Sequence, residues 1–206
     1  MLTTTLNKII SCSPCCPNLI QEFIDSGIDP DSELSFLTIL DNTTPQNTIW
    51  CLRAASQDSR LVSIKIAIRC AEAVLPIWSE QYPDDNRPAL AIAAAKAVLD
   101  DPSDENKQAA ARAAGAAWAA DAAWAADAKA DDWAAARAAK AAARAAKAAA
   151  WAAAAADAAD AAADAAAAWD AAWDAAWDAA RAARAAAADF FDIKQIIREV
   201  LLEEGN

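Results

Sequence analysis

The sequence predicts an all-α protein, and three observations carry that prediction. Alanine supplies about two-thirds of residues 109–188, and it has the highest intrinsic helix propensity. Only 3 glycines occur in 206 residues, and long stretches lack the alternating β-branched pattern of a strand. The larger apolar residues recur three and four positions apart, which places them on one helical face.

Two parts differ in character. Residues 1–102 read as short helices of ordinary composition, and residues 103–206 as an alanine-rich helical part ending in an amphipathic helix. The two are expected to form one continuous fold. Asn18 is placed to cap a helix carrying Leu19, Ile20, Phe23 and Ile24, with Gly27 in the terminating position. Ser32 is expected to cap the next, with Leu34, Leu37, Ile39 and Leu40 as core. Thr44-Pro45 sets a capping hydroxyl before a proline at the first helical position, followed by Ile49, Trp50 and Leu52.

Asp58 then opens a longer helix with Leu61, Ile64, Ile68, Ala71 and Leu75 on its apolar stripe. Pro76 is expected to kink or end it, because the ring removes a hydrogen bond. A loop over 82–88 follows, and Pro88 opens a helix to about Leu99. Ser103 caps the next segment, with Asp104 and Glu105 in the first turn, where the helix dipole favours anions. The last segment, from Phe190 to Leu202, presents Phe191, Ile193, Ile196, Ile197 and Leu201 for docking on the N-terminal helices. That docking is expected because alanine alone buries little area per residue.

A single helix over the alanine tract would exceed roughly 100 Å, whereas a compact chain of this length has a radius of gyration near 17 Å (about 2.2·N^0.38 Å). Two or three antiparallel helices are therefore expected, with breaks near Asp131 and between 155 and 160. Trp169, Trp173 and Trp177 recur every four residues and form one stripe. Asp170, Asp174 and Asp178 form the sector beside it. The stripe has two possible uses. Tryptophan is the only bulky residue in the tract and can serve as its core; exposed, it would be an anchor for a partner. Like charges four residues apart cost helix stability slightly, and a basic partner would relieve that cost. Trp169, Asp170, Trp173, Asp174, Trp177 and Asp178 are thus the candidate partner-binding residues.

Charge and composition exclude several classes. A net charge of −12 repels phosphate backbones, so nucleic acid is not the expected partner. No segment reaches the length of charge-poor, strongly apolar sequence that a membrane span requires. Met1 to Lys8 lacks a basic stretch followed by an apolar one, so a signal peptide is not expected and the expected address is the cytosol. Cys12, Cys15, Cys16, Cys51 and Cys70 are an odd, scattered set, read as reduced thiols, with no histidine to complete a metal site.

Catalysis finds no foothold either. Without histidine the commonest general base is missing, and neither G-x-S-x-G nor a phosphate-cradling glycine loop is present. The expectation is a non-enzyme with no cofactor and no metal, whose partner is a protein. Glu72, Asp84 and Asp85 are the only carboxylates in a site-like setting, and caps are the simpler use for them.

Ile49-Trp50-Cys51-Leu52-Arg53-Ala54, then the run from Cys70-Ala71-Glu72 to Leu75-Pro76, then Tyr82-Pro83-Asp84-Asp85-Asn86-Arg87-Pro88, together resemble a family of immunity proteins with alanine-rich C-terminal halves. That family is assigned to bacterial polymorphic toxin systems and is also met in mobile elements. The resemblance spans about residues 20–188 and is specific only in the run from Cys70 to Pro88. It implies an all-α protein that neutralises a cognate toxin by binding it. Trp50, Arg53, Glu72, Tyr82, Asp84, Asp85 and Arg87 are its motif residues here, expected to be structural. Arg87 is expected to tie the loop to a neighbouring carboxylate such as Glu72. The alternative function is a phage or mobile-element protein that disarms a host defence, as a nucleic-acid mimic or by sequestering a signal.

Overall fold

The computed structural model describes residues 2–12, 17–25, 27–127 and 192–204. Of these, 74% are helical, and the fold is all-α. In chain order come β1 (Thr3–Thr4), α1 (Leu6–Ser11), α2 (Pro17–Asp25), β2 (Leu34–Ser35), α3 (Phe36–Asn42) and α4 (Pro45–Cys51). A single 3-10 turn (Leu52–Ala54), α5 (Arg60–Gln81), α6 (Arg87–Asp100), α7 (Asp104–Asp127) and α8 (Ile193–Glu203) complete the described elements. The two strands pair antiparallel, Thr3 opposite Ser35 and Thr4 opposite Leu34. They act as a clasp: the Thr4 hydroxyl donates to the Ala54 carbonyl, and the Ser56 amide donates to the Thr3 carbonyl at 2.8 Å.

Local signals place most of the helix ends. Thr5 caps α1 by accepting from the Lys8 amide, and Thr44 caps α4 by accepting from the Asn47 amide at 3.2 Å, with Pro45 following. Gly27 has φ +75°, the left-handed conformation that glycine adopts without steric cost. Its amide donates to the Ile24 carbonyl and that of Ile28 to the Phe23 carbonyl. This is the paired closure of a Schellman end, and Phe23 is buried beside a half-buried Ile28.

The cap of α3 differs from expectation. Ser35, not Ser32, accepts from the Thr38 amide at 3.1 Å, while the Ser32 hydroxyl closes a turn on the Asp29 carbonyl at 2.7 Å. The backbone of Leu34 is engaged by Thr4 across the clasp, so the helix cannot begin before Phe36. Leu34, Ile39 and Leu40 still enter the core, and Leu37 packs partly against it.

Helix α5 also differs. It begins at Arg60, and the Ser59 hydroxyl donates to the Leu52 carbonyl at 2.8 Å rather than capping. Leu61 is 52% exposed; the buried apolar residues are Val62, Ile64, Ile66, Ala67, Ile68, Cys70, Ala71, Val74 and Trp78. The helix packs against both α6 and α8, so its buried arc is wider than one stripe and is rotated away from Leu61. Helix α5 also runs on through Pro76 to Gln81. Pro76 lies on the exposed side, where water can satisfy the carbonyl that loses its donor.

Alanine packing is visible between α6 and α7, which a three-residue connection folds back on each other. Ala91 and Ala95 of α6, and Ala110, Ala114 and Ala117 of α7, have no exposed surface. Their spacing of three and four puts each set on one stripe, and a methyl-sized contact lets the two axes approach closely. Ser103 takes the Asn106 amide, and the Asn106 side chain donates to the Ala97 and Asp101 carbonyls.

Helix α8 closes the core. It packs on α3, α4 and α5 and buries Ile193, Ile197, Val200 and Leu201, with Ile196 partly buried. Asp192 caps it by accepting from the Gln195 amide at 3.1 Å. Ion pairs Lys65–Glu204, Arg69–Glu203 and Arg198–Asp41 rim the contact. Phe191 and the expected breaks near Asp131 and between 155 and 160 lie outside the described residues.

Candidate functional site

The corner between α5 and α6 concentrates the polar groups of the Cys70–Pro88 run. Helix α5 ends with the Tyr82 amide donating to the Trp78 carbonyl at 2.7 Å, and the Asp85 amide then donates back to the Tyr82 carbonyl at 3.1 Å. Trp78, only 1% exposed, spans the turn from below: its indole Nε1 donates to the Asp85 carbonyl at 2.8 Å. The Tyr82 ring lies against it, centroids 4.7 Å apart and planes inclined by 41°. Such tilted pairs add modestly to simple burial.

Arg87 fixes the outer side. Its Nε donates to Asp85 Oδ1 at 2.8 Å and its terminal nitrogen to Oδ2 at 2.6 Å, a bidentate fork. Asp85 Oδ1 also accepts from the Arg87 amide at 3.1 Å. The hydrogen bonds from Arg87 hold the Asp85 carboxyl below its ordinary range, opposed by partial burial, and Asp85 in turn pushes the Arg87 guanidinium up. The expected partner of Arg87 is therefore corrected. Arg87 pairs with Asp85 and not with Glu72, which binds Lys96 of α6. The reason is geometric: two residues apart at a helix start, Asp85 meets the guanidinium with both oxygens, and Lys96 sits across from Glu72.

The motif residues occupy three settings. Tyr82, Asp85 and Arg87 form the locked corner, and Glu72 stitches α5 to α6 beside it. Trp50, 5% exposed, belongs to the core of α4, and Arg53 is half-buried in the 3-10 turn. Asp84 is exposed at the apex. Trp169, Asp170, Trp173, Asp174, Trp177 and Asp178 lie outside the described residues. The sequence reasoning missed Trp78, the largest fully buried side chain among the described residues. Its position four residues before Tyr82, on the stripe of Ala71 and Val74, was the available signal.

No family model, curated protein or solved structure matches the chain.

Chemically, the corner is a scaffold. The Trp78 indole, the Asp85 carboxylate and the Arg87 guanidinium are engaged within it, and Asp85 is held as a carboxylate by its guanidinium, which suits neither an acid nor a base poised near neutrality. Cys51 and Cys70 are fully buried, and burial pushes the Cys70 thiol up to about 12, so it stays protonated and a poor metal ligand or nucleophile. Among the described residues no three His, Cys, Asp or Glu gather as a metal-binding group, and no helix is long and apolar enough to cross a membrane.

Proposed function

We propose that the chain is an inhibitory binding protein that neutralises a toxin by direct, charge-assisted association in the cytosol, and that it is not an enzyme. The observation that supports this reading is the disposition of charge. Arg60, Lys65, Arg69, Arg87, Lys96, Lys107 and Arg198 are each committed to a carboxylate within the fold. Glu33, Glu80, Asp84, Asp100 and Glu105 are exposed and have no such partner among the described residues. Lys8 and Arg112 are exposed without a carboxylate partner among the described residues, but these unpaired acids outnumber them, in keeping with the net charge of −12 over the chain.

A surface of that kind steers basic partners and repels nucleic acid. A toxin with a cationic nucleic-acid groove fits it by occupying that groove. The Asp170, Asp174 and Asp178 sector, with Trp169, Trp173 and Trp177, adds charge and apolar anchors of the same character at the level of sequence.

The test is co-expression with candidate toxins drawn from the gene's own neighbourhood. Restored growth, together with a purified complex whose affinity falls with salt, supports the reading. Replacing Asp170, Asp174 and Asp178 together by Lys should slow association and flatten its salt dependence. A folded, abundant chain that restores no growth refutes toxin neutralisation. If the same chain instead restores phage growth on a defended host, the anti-defence alternative replaces it.

A further inference from the structure

We propose that the outward face of α6 is a docking surface for a cationic, amphipathic protein segment; this rests on the inhibitory reading above and names the surface it would use. Helix α6 buries Pro88, Ala91, Ile92, Ala95 and Val98. The opposite arc carries Asn86, Leu90, Ala93 and Asp100, all exposed. Leu90 is 55% exposed, more than any other large apolar side chain among the described residues. Each end of the arc is acidic: Asp84 stands at the apex before the helix, and Asp100 and Asp101 close it. The only cation of α6 on the exposed side, Lys96, is neutralised by Glu72.

The face thus sets one large apolar side chain, Leu90, between acidic ends, along the 14 residues of α6 from Arg87 to Asp100, or roughly 21 Å along the axis. Charge complementarity selects the occupant: a segment with an apolar centre and lysine or arginine at each end, about four helical turns long. The surface is also prepared for binding. The Trp78 indole and the Asp85–Arg87 fork hold Asp85, the neighbour of the apex residue Asp84, before any partner arrives, so little backbone ordering entropy remains to be lost there.

The probe is a labelled synthetic peptide of roughly 18 residues, leucine along one face and lysine at both ends, titrated into the full-length protein. Binding is followed by fluorescence anisotropy, and amide shift changes locate it. The expected result is saturable binding with shifts concentrated between Asp84 and Asp101. Leu90→Ser, and separately the pair Asp84→Lys with Asp100→Lys, should each weaken binding at least tenfold, the scale of a hot-spot loss of about 1.4 kcal/mol or more. A control pair with the same charge change elsewhere, Glu33→Lys with Glu199→Lys, should cost far less. Equal loss in the control pair, or shifts centred on another surface, overturns the proposal. In the growth assay, rescue by the wild type that is undiminished in the α6 variants removes this surface and leaves the inhibitory reading standing. No rescue by the wild type removes that reading instead, and the peptide titration then decides the surface by itself.

Discussion

Ile197 offers the sharpest test of how the fold is closed. It has no exposed surface and sits on α8, which is separated by more than a hundred residues of chain from the α3, α4 and α5 surfaces it covers. Ile197→Ala removes three buried carbons, worth about 2.4 kcal/mol at roughly 0.8 kcal/mol each. The cavity left behind adds to this, giving a loss of about 2–5 kcal/mol. The rim ion pairs are a third to a half exposed, as in Arg69–Glu203 at 45% and 47%, and pairs of that kind contribute about 0.2–1 kcal/mol. Apolar burial therefore outweighs any single rim pair. Urea denaturation and thermal melting at 222 nm should show Ile197→Ala lowering the melting temperature by about 4–20 °C, at about 2–4 °C per kcal/mol for this size. Glu203→Ala should move it by about 4 °C at most. If Ile197→Ala melts like the wild type, or if Glu203→Ala is the more damaging change, then α8 is not what seals the core.

Other expectations follow from the same contacts. Gly27→Ala should cost about 1–2 kcal/mol in urea unfolding; a Cβ there meets nothing within 4 Å, so the backbone term alone is read. Trp78→Phe should destabilise by more than its change in volume implies, since the Asp85 carbonyl loses its donor at about 1–3 kcal/mol; comparing it with Trp78→Tyr in urea tests this. A double-mutant cycle should find coupling between Asp85 and Arg87, and none between Glu72 and Arg87. Asp58 and Asp85 are both held below the ordinary carboxylate value, chiefly by hydrogen bonds from Arg60 and Arg87. Their stabilisation is complete above an unfolded value of about 4 and is lost as pH falls through the lower folded one. Asp85→Asn should flatten the acid limb of a stability-versus-pH curve, and an unchanged limb would refute that contribution.

The sequence by itself determined the helical class and several helix ends, whereas Asn18, read as a cap, lies inside α2 (Pro17–Asp25). These are local matters: Thr44-Pro45, Ser103 and Gly27 act within four residues of themselves, and alanine favours helix in almost any surroundings. It also determined the docking of the last helix, because an amphipathic stripe beside a tract with little area to bury must find its partner elsewhere in the chain. What only the tertiary structure decided were the pairings. The clasp between Thr3–Thr4 and Leu34–Ser35 moved the cap from Ser32 to Ser35, since strand hydrogen bonds between segments thirty residues apart leave no local trace. The orientation of α5 depended on its having two neighbours, α6 and α8, which turned Leu61 outward and buried Trp78. Arg87 had more than one carboxylate in reach by sequence, and the distance at the start of α6 selected Asp85 over Glu72. Which charges meet is fixed by the packing of helices, and a one-dimensional pattern of residue types does not contain that distance.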